Sequence, residues 1–273
     1  TLVLSSGGTF TGLSPTLTTT QTWTPQFSKQ LGGMGFNAVG GTLTFGAAQS
    51  FVATSTFTLT AGTLDLSGFD LTIGEFISSG TGVRSIAFGT NNIILSTTTL
   101  GRNNLSMAIA TNFTYTGTGG FTAAADITRT INFGATGGSS TNAPNFTLTG
   151  SGTAVVSFAT GSWFNTLNFG TTAYTLGTTT LNCNSLVLST GGTFTGLTAT
   201  MVGTGTINTN GKTIAALTVD AGSGTTTLAS AVTTGVTAAT TLTSGTLALG
   251  GFTLSTGTFV STNPVTRNIN FGS

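Results

Sequence analysis

The chain has 273 residues, with 6 Lys and Arg, 5 Asp and Glu, no His, one Cys and 41 Gly. Charged residues make up 4% of it and Thr about a quarter, where an ordinary soluble domain carries about 25% charge. No His means no His-based triad or metal site, a single Cys means no internal disulfide or zinc cluster, and a net charge of +1 gives no electrostatic footprint for nucleic acid or an anionic membrane.

Such a composition suggests disorder, but disordered chains combine low hydrophobicity with high net charge. This chain is 38% hydrophobic, has 20 Phe and a mean hydropathy of +0.36, so it can bury a core. No apolar run reaches the 18 or more residues of a membrane helix. An outer-membrane barrel needs strands of about 9–11 residues and aromatic girdles, and the short alternating runs here, with two Trp and two Tyr, fit it poorly. The chain opens on Thr1 with no visible leader, as expected of an excerpt or processed product.

Taken in chain order, apolar residues come in alternating pairs: Phe57/Leu59, Leu64/Leu66, Leu71/Ile73, Ile86/Phe88 and Ile93/Leu95. They are followed by Leu167/Phe169, Tyr174/Leu176, Leu181/Cys183, Leu186/Leu188, Leu217/Val219 and Leu247/Leu249. A period of two with Thr, Ser or Asp between marks half-buried strands. Ala61-Gly62, Ser67-Gly68 and Gly89-Thr90-Asn91-Asn92 mark the turns between them. No window carries a 3.6 period, so essentially no helix is expected. Leu59, Leu66 and Ile73 lie seven apart, one short strand plus a tight turn. Three such strands close a coil of about 21 residues, stacked at about 4.7–4.8 Å. The expected fold is all-β: a right-handed parallel β-helix (β-solenoid) with short strands and Gly-rich turns. It would have about 13 coils and a length of roughly 60 Å at that pitch.

Repetition organises the chain. Residues 1–13 return as 185–197, a shift of 184, and Leu59–Phe69 returns as Leu242–Phe252, a shift of 183. One long unit, 1–183, is followed by the first half of a second, 184–273, continuous with it as one elongated domain. A shorter motif, Arg-x-Ile-x-Phe-Gly, recurs at Arg84, Arg129 and Arg267. A hairpin sandwich is the rival fold, but Asn210-Gly211 is the single strong hairpin signal. An intertwined homotrimer sharing one core stays open.

Few residues could carry chemistry. Asp65, Asp70 and Glu75 lie within eleven residues and could serve hydrolysis or calcium. The second copy has Ala248, Thr253 and Thr258 there, which leaves them as solvated surface acids. The recurring Arg could grip an acidic glycan or, more blandly, cap turn carbonyls. Cys183 alternates with Leu181 and is expected inside the core. Trp23 and Trp163 could stack on sugars or plug irregular coils. Asn104, Asn112 and Asn145 match the glycosylation pattern, a weak signal in so Thr-rich a chain. No catalytic, cofactor-binding or metal-binding residue is assigned, no cofactor is expected, and the chain is not read as an enzyme.

The stretches Thr206–Ile214 and Thr243–Leu254, closing on Arg267-Asn268-Ile269-Asn270-Phe271-Gly272, resemble repetitive structural proteins of bacteriophages and bacteria, namely tail-fibre or appendage proteins and surface-fibre adhesins. The resemblance covers most of the chain through composition and repeats and carries no catalytic residues. It implies an extended extracellular or virion-surface fibre. The expected partners are further copies of the chain, stacked end to end or laterally, with no nucleic acid and no membrane insertion. The alternative is an adhesin or receptor-binding rod recognising surface glycans on a face with Trp23, Arg84 and Asp70.

Overall fold

The computed structural model describes residues 10–24, 30–96, 103–124, 129–149, 156–170, 174 and 176–272. Among these residues the chain is all-β without a helix, its parallel sheets stacked as a β-solenoid of about 10 turns. Every strand pairing is parallel, as in Phe57↔Phe76, Leu64↔Ile86 and Leu71↔Ile93. That excludes a hairpin sandwich, and Asn210-Gly211 instead turns a coil corner between Gly205–Asn208 and Thr213–Leu228. The core closes within one chain, with Phe36, Leu59, Phe76, Ile93 and Leu217 all fully buried.

The alternating pairs become the inward positions of three strand stacks. Met34, Phe57, Phe76 and Leu105 share the first stack. Leu43, Leu64 and Ile86 share the second, and Leu71, Ile93, Phe121 and Phe146 the third. The seven-residue spacing therefore reads as one step from face to face. Past Phe146 the third stack continues through Leu167, Leu186, Ile207 and Leu228. Leu186 lies three residues after Cys183 in the strand Thr179–Val187, and Cys183 belongs to a coil's first strand by its pairing through Met201 to Val219, the equivalent of Phe36. The stack that takes the third strand of each early coil thus takes the second strand of each later one.

Coil length departs from the uniform 21 residues expected. The step to the next coil runs from 18 residues, Cys183 to Met201, to 29, Phe76 to Leu105. Longer corners lower the turn count from the expected 13 to about 10. Strands also vary, the longest being Thr213–Leu228 with 16 residues. It bends through a corner where its register against the next coil shifts between Asp220 and Thr225.

The internal repeat is visible in the pairing itself. Gln49↔Leu71 returns as Val232↔Leu254, Met34↔Phe57 as Leu217↔Thr240, and Gly62↔Arg84 as Gly245↔Arg267. The same glycine holds the same corner in both copies. Gly62 sits at φ +95° with Ala38 O only 2.4 Å from where a Cβ would stand, and Gly245 at φ +79° with Gly224 O at 2.8 Å. A side chain there meets both a disfavoured conformation and a backbone carbonyl of the coil beneath.

Aromatic rings fill the axis of the earlier coils. Phe57 and Phe76 stack at 5.5 Å with planes 5° apart, and Phe76, Phe121 and Phe88 continue edge to face at 5.4 and 5.5 Å. The later copy replaces Phe57 with Thr240 and Leu43 with Thr226. Both threonines are fully buried, and both Oγ1 atoms lack a hydrogen-bond partner. An unpaired buried hydroxyl costs about 1–3 kcal/mol. Thr226→Val and Thr240→Val, nearly isosteric, should therefore each stabilise the fold by about 1 kcal/mol. Calorimetry should show a rise of roughly 2–4 °C in Tm for each; a fall for both would mean these hydroxyls are satisfied.

Candidate functional site

The three clustered acids do not converge. Asp65 closes the strand Thr56–Asp65, and its Oδ1 accepts the Ser67 N–H at 2.9 Å, a local turn bond. Asp70 lies exposed before the next strand, and its Oδ1 accepts the Asn92 N–H of the following coil at 2.8 Å. Glu75 opens the strand Glu75–Ile77 and accepts the Thr56 hydroxyl of the preceding coil at 3.3 Å. Each carboxylate is committed to a corner or a coil-to-coil bond. Among the described residues no three His, Cys, Asp or Glu groups are placed to hold a metal ion.

The proposed glycan face is not assembled either. Trp23 is buried, its indole N–H donating to Gln49 Oε1 at 2.8 Å. Among the described residues Arg84 is the largest fully buried side chain, and none of its hydrogen-bond partners there is a carboxylate. Only Asp70 of the three is exposed. Trp163 is half-buried and packs over Gly134 and Gly138, where the indole sits in the space a Cβ on Gly138 would need. Asn104 is fully buried, while Asn112 is exposed and Asn145 half-buried.

Arg84 is where the sequence signal leads furthest. Its Nε donates to Gly82 O at 3.0 Å. Its Nη1 donates to Ser78 O and to Ser78 Oγ. Its Nη2 reaches across to the next coil, to Ile109 O at 3.0 Å and Thr111 O at 2.8 Å. The planar fork suits this array of fixed acceptors. The cation is solvated by backbone dipoles instead of a counter-ion, and burial lowers its pKa below the usual arginine value. Arg84 thus caps turn carbonyls, as one of the two sequence readings held, and also bolts one coil to the next. The side chain of Arg129 lies outside the described residues. Arg267, the equivalent in the later copy, is half-buried, with an Nη1 that is buried and has no partner.

Cys183 is fully buried, with Sγ 3.9 Å from Met201 Sδ, and burial pushes its thiol pKa up to about 12. Such a thiol is a core group and a poor nucleophile.

Sequence reading missed Asp220. Its Oδ1 accepts the Ser244 hydroxyl at 2.6 Å, and Ser244 Oγ in turn accepts the Gly222 N–H at 2.7 Å. These groups border an open groove with Thr246, Asn263 and Asn268. The signal was present: Asp220 stands where the first copy has Asn37, and Ser244 where it has Ala61.

No protein-family model matches the chain, and no curated protein or solved structure matches it at a significant level.

Two outcomes follow from these geometries. Arg84→Ala strands buried carbonyls on two coils and should destabilise the fold by about 3 kcal/mol or more. Arg84→Lys should recover little of it, because one ammonium cannot span the fork; denaturant midpoints of the three proteins decide this. Cys183 has its pKa raised in the folded state, from 9.0 to about 12. Below about pH 9 the thiol is protonated whether folded or not, so it adds no pH dependence. Between about pH 9 and 12 only the unfolded thiol ionises, so stability falls as pH rises. Cys183→Ala should show a shallower loss between pH 8 and pH 10.5 in urea titrations, and equal slopes would contradict the burial of the thiol.

Proposed function

We propose that the chain is a structural β-solenoid segment of an extracellular or virion-surface fibre, non-enzymatic, whose task is reach, stiffness and presentation of repeated surface. One observation carries this reading. The polar chemistry of the coils is spent on holding coil to coil. Asn165 Nδ2 donates to Asn145 Oδ1 and Asn184 Nδ2 to Asn165 Oδ1, each at 2.9 Å. Arg84, Asp70 and Glu75 are engaged in the same way. The likeness of the repeats to phage tail-fibre and bacterial surface-fibre proteins supports the same reading.

A second reading, a rod that recognises neutral glycans, draws on the groove beside Asp220, whose exposed Thr and Asn oxygens suit sugar hydroxyls. It moves the binding face away from Trp23 and Arg84.

The test is immunogold labelling of the native source with antibody raised against the chain, paired with incubation of the purified protein on capsular polysaccharides. Gold along filaments or virion fibres, with no reducing-sugar release, is expected. Gold confined to the cell interior, or sugar release abolished by Asp220→Asn, would overturn the structural reading.

A further inference from the structure

One corner of the solenoid holds a pair of residues able to rewrite its own main chain. Asn210-Gly211 is the single Asn-Gly step in the sequence, and it joins the strands Gly205–Asn208 and Thr213–Leu228. Both residues lie in the left-handed region, at φ +49° and +75°, and both are exposed. A short turn closes the corner. Asn208 Oδ1 accepts the Asn210 N–H at 3.0 Å, and Thr209 O accepts the Lys212 N–H at 2.9 Å. Among the described residues the Gly211 N–H gives no hydrogen bond, and nothing lies within 4 Å of where a Cβ on Gly211 would stand.

Other corners show that the fold does not require an asparagine there. Residues 65–68 make the same turn: Asp65 Oδ1 accepts the Ser67 N–H, with Ser67 and Gly68 at φ +51° and +90°. The second copy of that corner has Gly250 and Gly251, at φ +59° and +82°. Serine and glycine thus serve where Asn210 stands. What the asparagine adds is a carboxamide whose Nδ2 donates to Leu188 O of the preceding coil at 2.6 Å. That bond turns the side chain toward the neighbouring coil. It also engages the nitrogen that any substitution at Asn210 Cγ has to expel.

We infer that Asn210-Gly211 is a self-modification site, latched by the hydrogen bond from Asn210 to Leu188 O and released when the corner opens. With the latch open, the Gly211 nitrogen attacks Asn210 Cγ. The new N–Cγ bond closes a five-membered succinimide, the Cγ–Nδ2 bond breaks, and the amide nitrogen leaves as ammonia with the proton of Gly211. Water then opens the ring. Cleavage at the original main-chain carbonyl leaves isoaspartate, whose main chain runs through Cγ, and cleavage at Cγ leaves aspartate. Nothing is oxidised or reduced, and water is the one added reactant. Neither product restores the corner. Both replace the amide donor with a carboxylate, which has no proton to give Leu188 O and is repelled by it. Isoaspartate also lengthens the main chain of a corner that sets the pairings Phe194↔Ile214 and Thr213↔Thr233. The latch therefore does not close again, and an opening that reacts is recorded in the covalent structure. This inference goes beyond the structural reading of the rod and does not depend on it.

The purified wild-type chain, aged warm at one mildly alkaline pH in buffer and in concentrated urea, provides the test. Peptide mass spectrometry with an isoaspartate assay reads every asparagine over time. In urea, Asn210 should convert ahead of all the others. In buffer it should convert at least about tenfold more slowly than in urea, because local opening keeps the reactive form scarce. Chains converted in urea and refolded should melt at least about 2 °C below untreated chains. Asn210→Ser, which borrows the residue of the Ser67 corner, should pass through the same urea step and refold to its own starting Tm. Asn210→Gly, after the Gly250 corner, is the second unreactive variant and should do the same. Equal rates in buffer and urea, another asparagine leading in urea, or a converted chain with unchanged Tm would each overturn the inference. So would a loss of Tm in both unreactive variants that matches the wild type, since the damage would then lie elsewhere.

Discussion

Everything in this molecule follows from one translational constraint: each residue lies about 4.8 Å from its counterpart in the next coil. A side chain must therefore be compatible with its neighbour along the axis before anything else. Apolar groups meet apolar groups, as in the first stack through Met34, Phe57 and Phe76. Amides meet amides, as in Asn145, Asn165 and Asn184. Like charges at that spacing repel, and 4% charge is what remains when they are excluded. The scarcity that removes most catalytic chemistry and the regularity that builds the rod have one cause.

The exceptions obey the same rule. A cation is tolerated at Arg84 because its neighbours along the axis are carbonyls, not another cation. The fork spans residues 78–84 and 109–111, so one guanidinium satisfies acceptors in two coils that would otherwise need water. The acids are tolerated where each meets an N–H or a hydroxyl of an adjoining coil or turn. Function-like residues in such a chain read first as solutions to stacking.

How much of this was legible in the sequence depended on how local the cause was. The inward pairs, the parallel solenoid and the buried Cys183 follow from a period of two and a spacing of seven, both set within a few residues. Coil number was overestimated because corners such as residues 78–83, between Glu75–Ile77 and Arg84–Gly89, add length without an apolar signature. The shift of the third stack onto the second near Leu167 has no local mark either, since each short strand looks the same whichever column it joins. Arg84 was singled out by its recurrence, but its burial was hidden: an arginine solvated by carbonyls and one in water leave the same letter. The Trp23–Arg84–Asp70 face failed for that reason. Asp220 was overlooked, although the departure from Asn37 in the first copy marked it.

The two copies share a register but differ in their cores, and that difference bears on how such an array evolves and assembles. Coils touch only their neighbours, so stability is a sum of local terms. Phe57 can become Thr240 at the expense of the two adjoining coils alone, and the pairing Leu217↔Thr240 keeps the geometry of Met34↔Phe57. What a copy cannot change is the strand edge and the corner glycine, because the next coil is laid on them. Gly62 and Gly245 are retained, as are Arg84 and Arg267, while Phe36, Phe45 and Phe57 become Val219, Leu228 and Thr240. The conserved part of the repeat is thus the part that faces along the axis, the surface on which another coil is built.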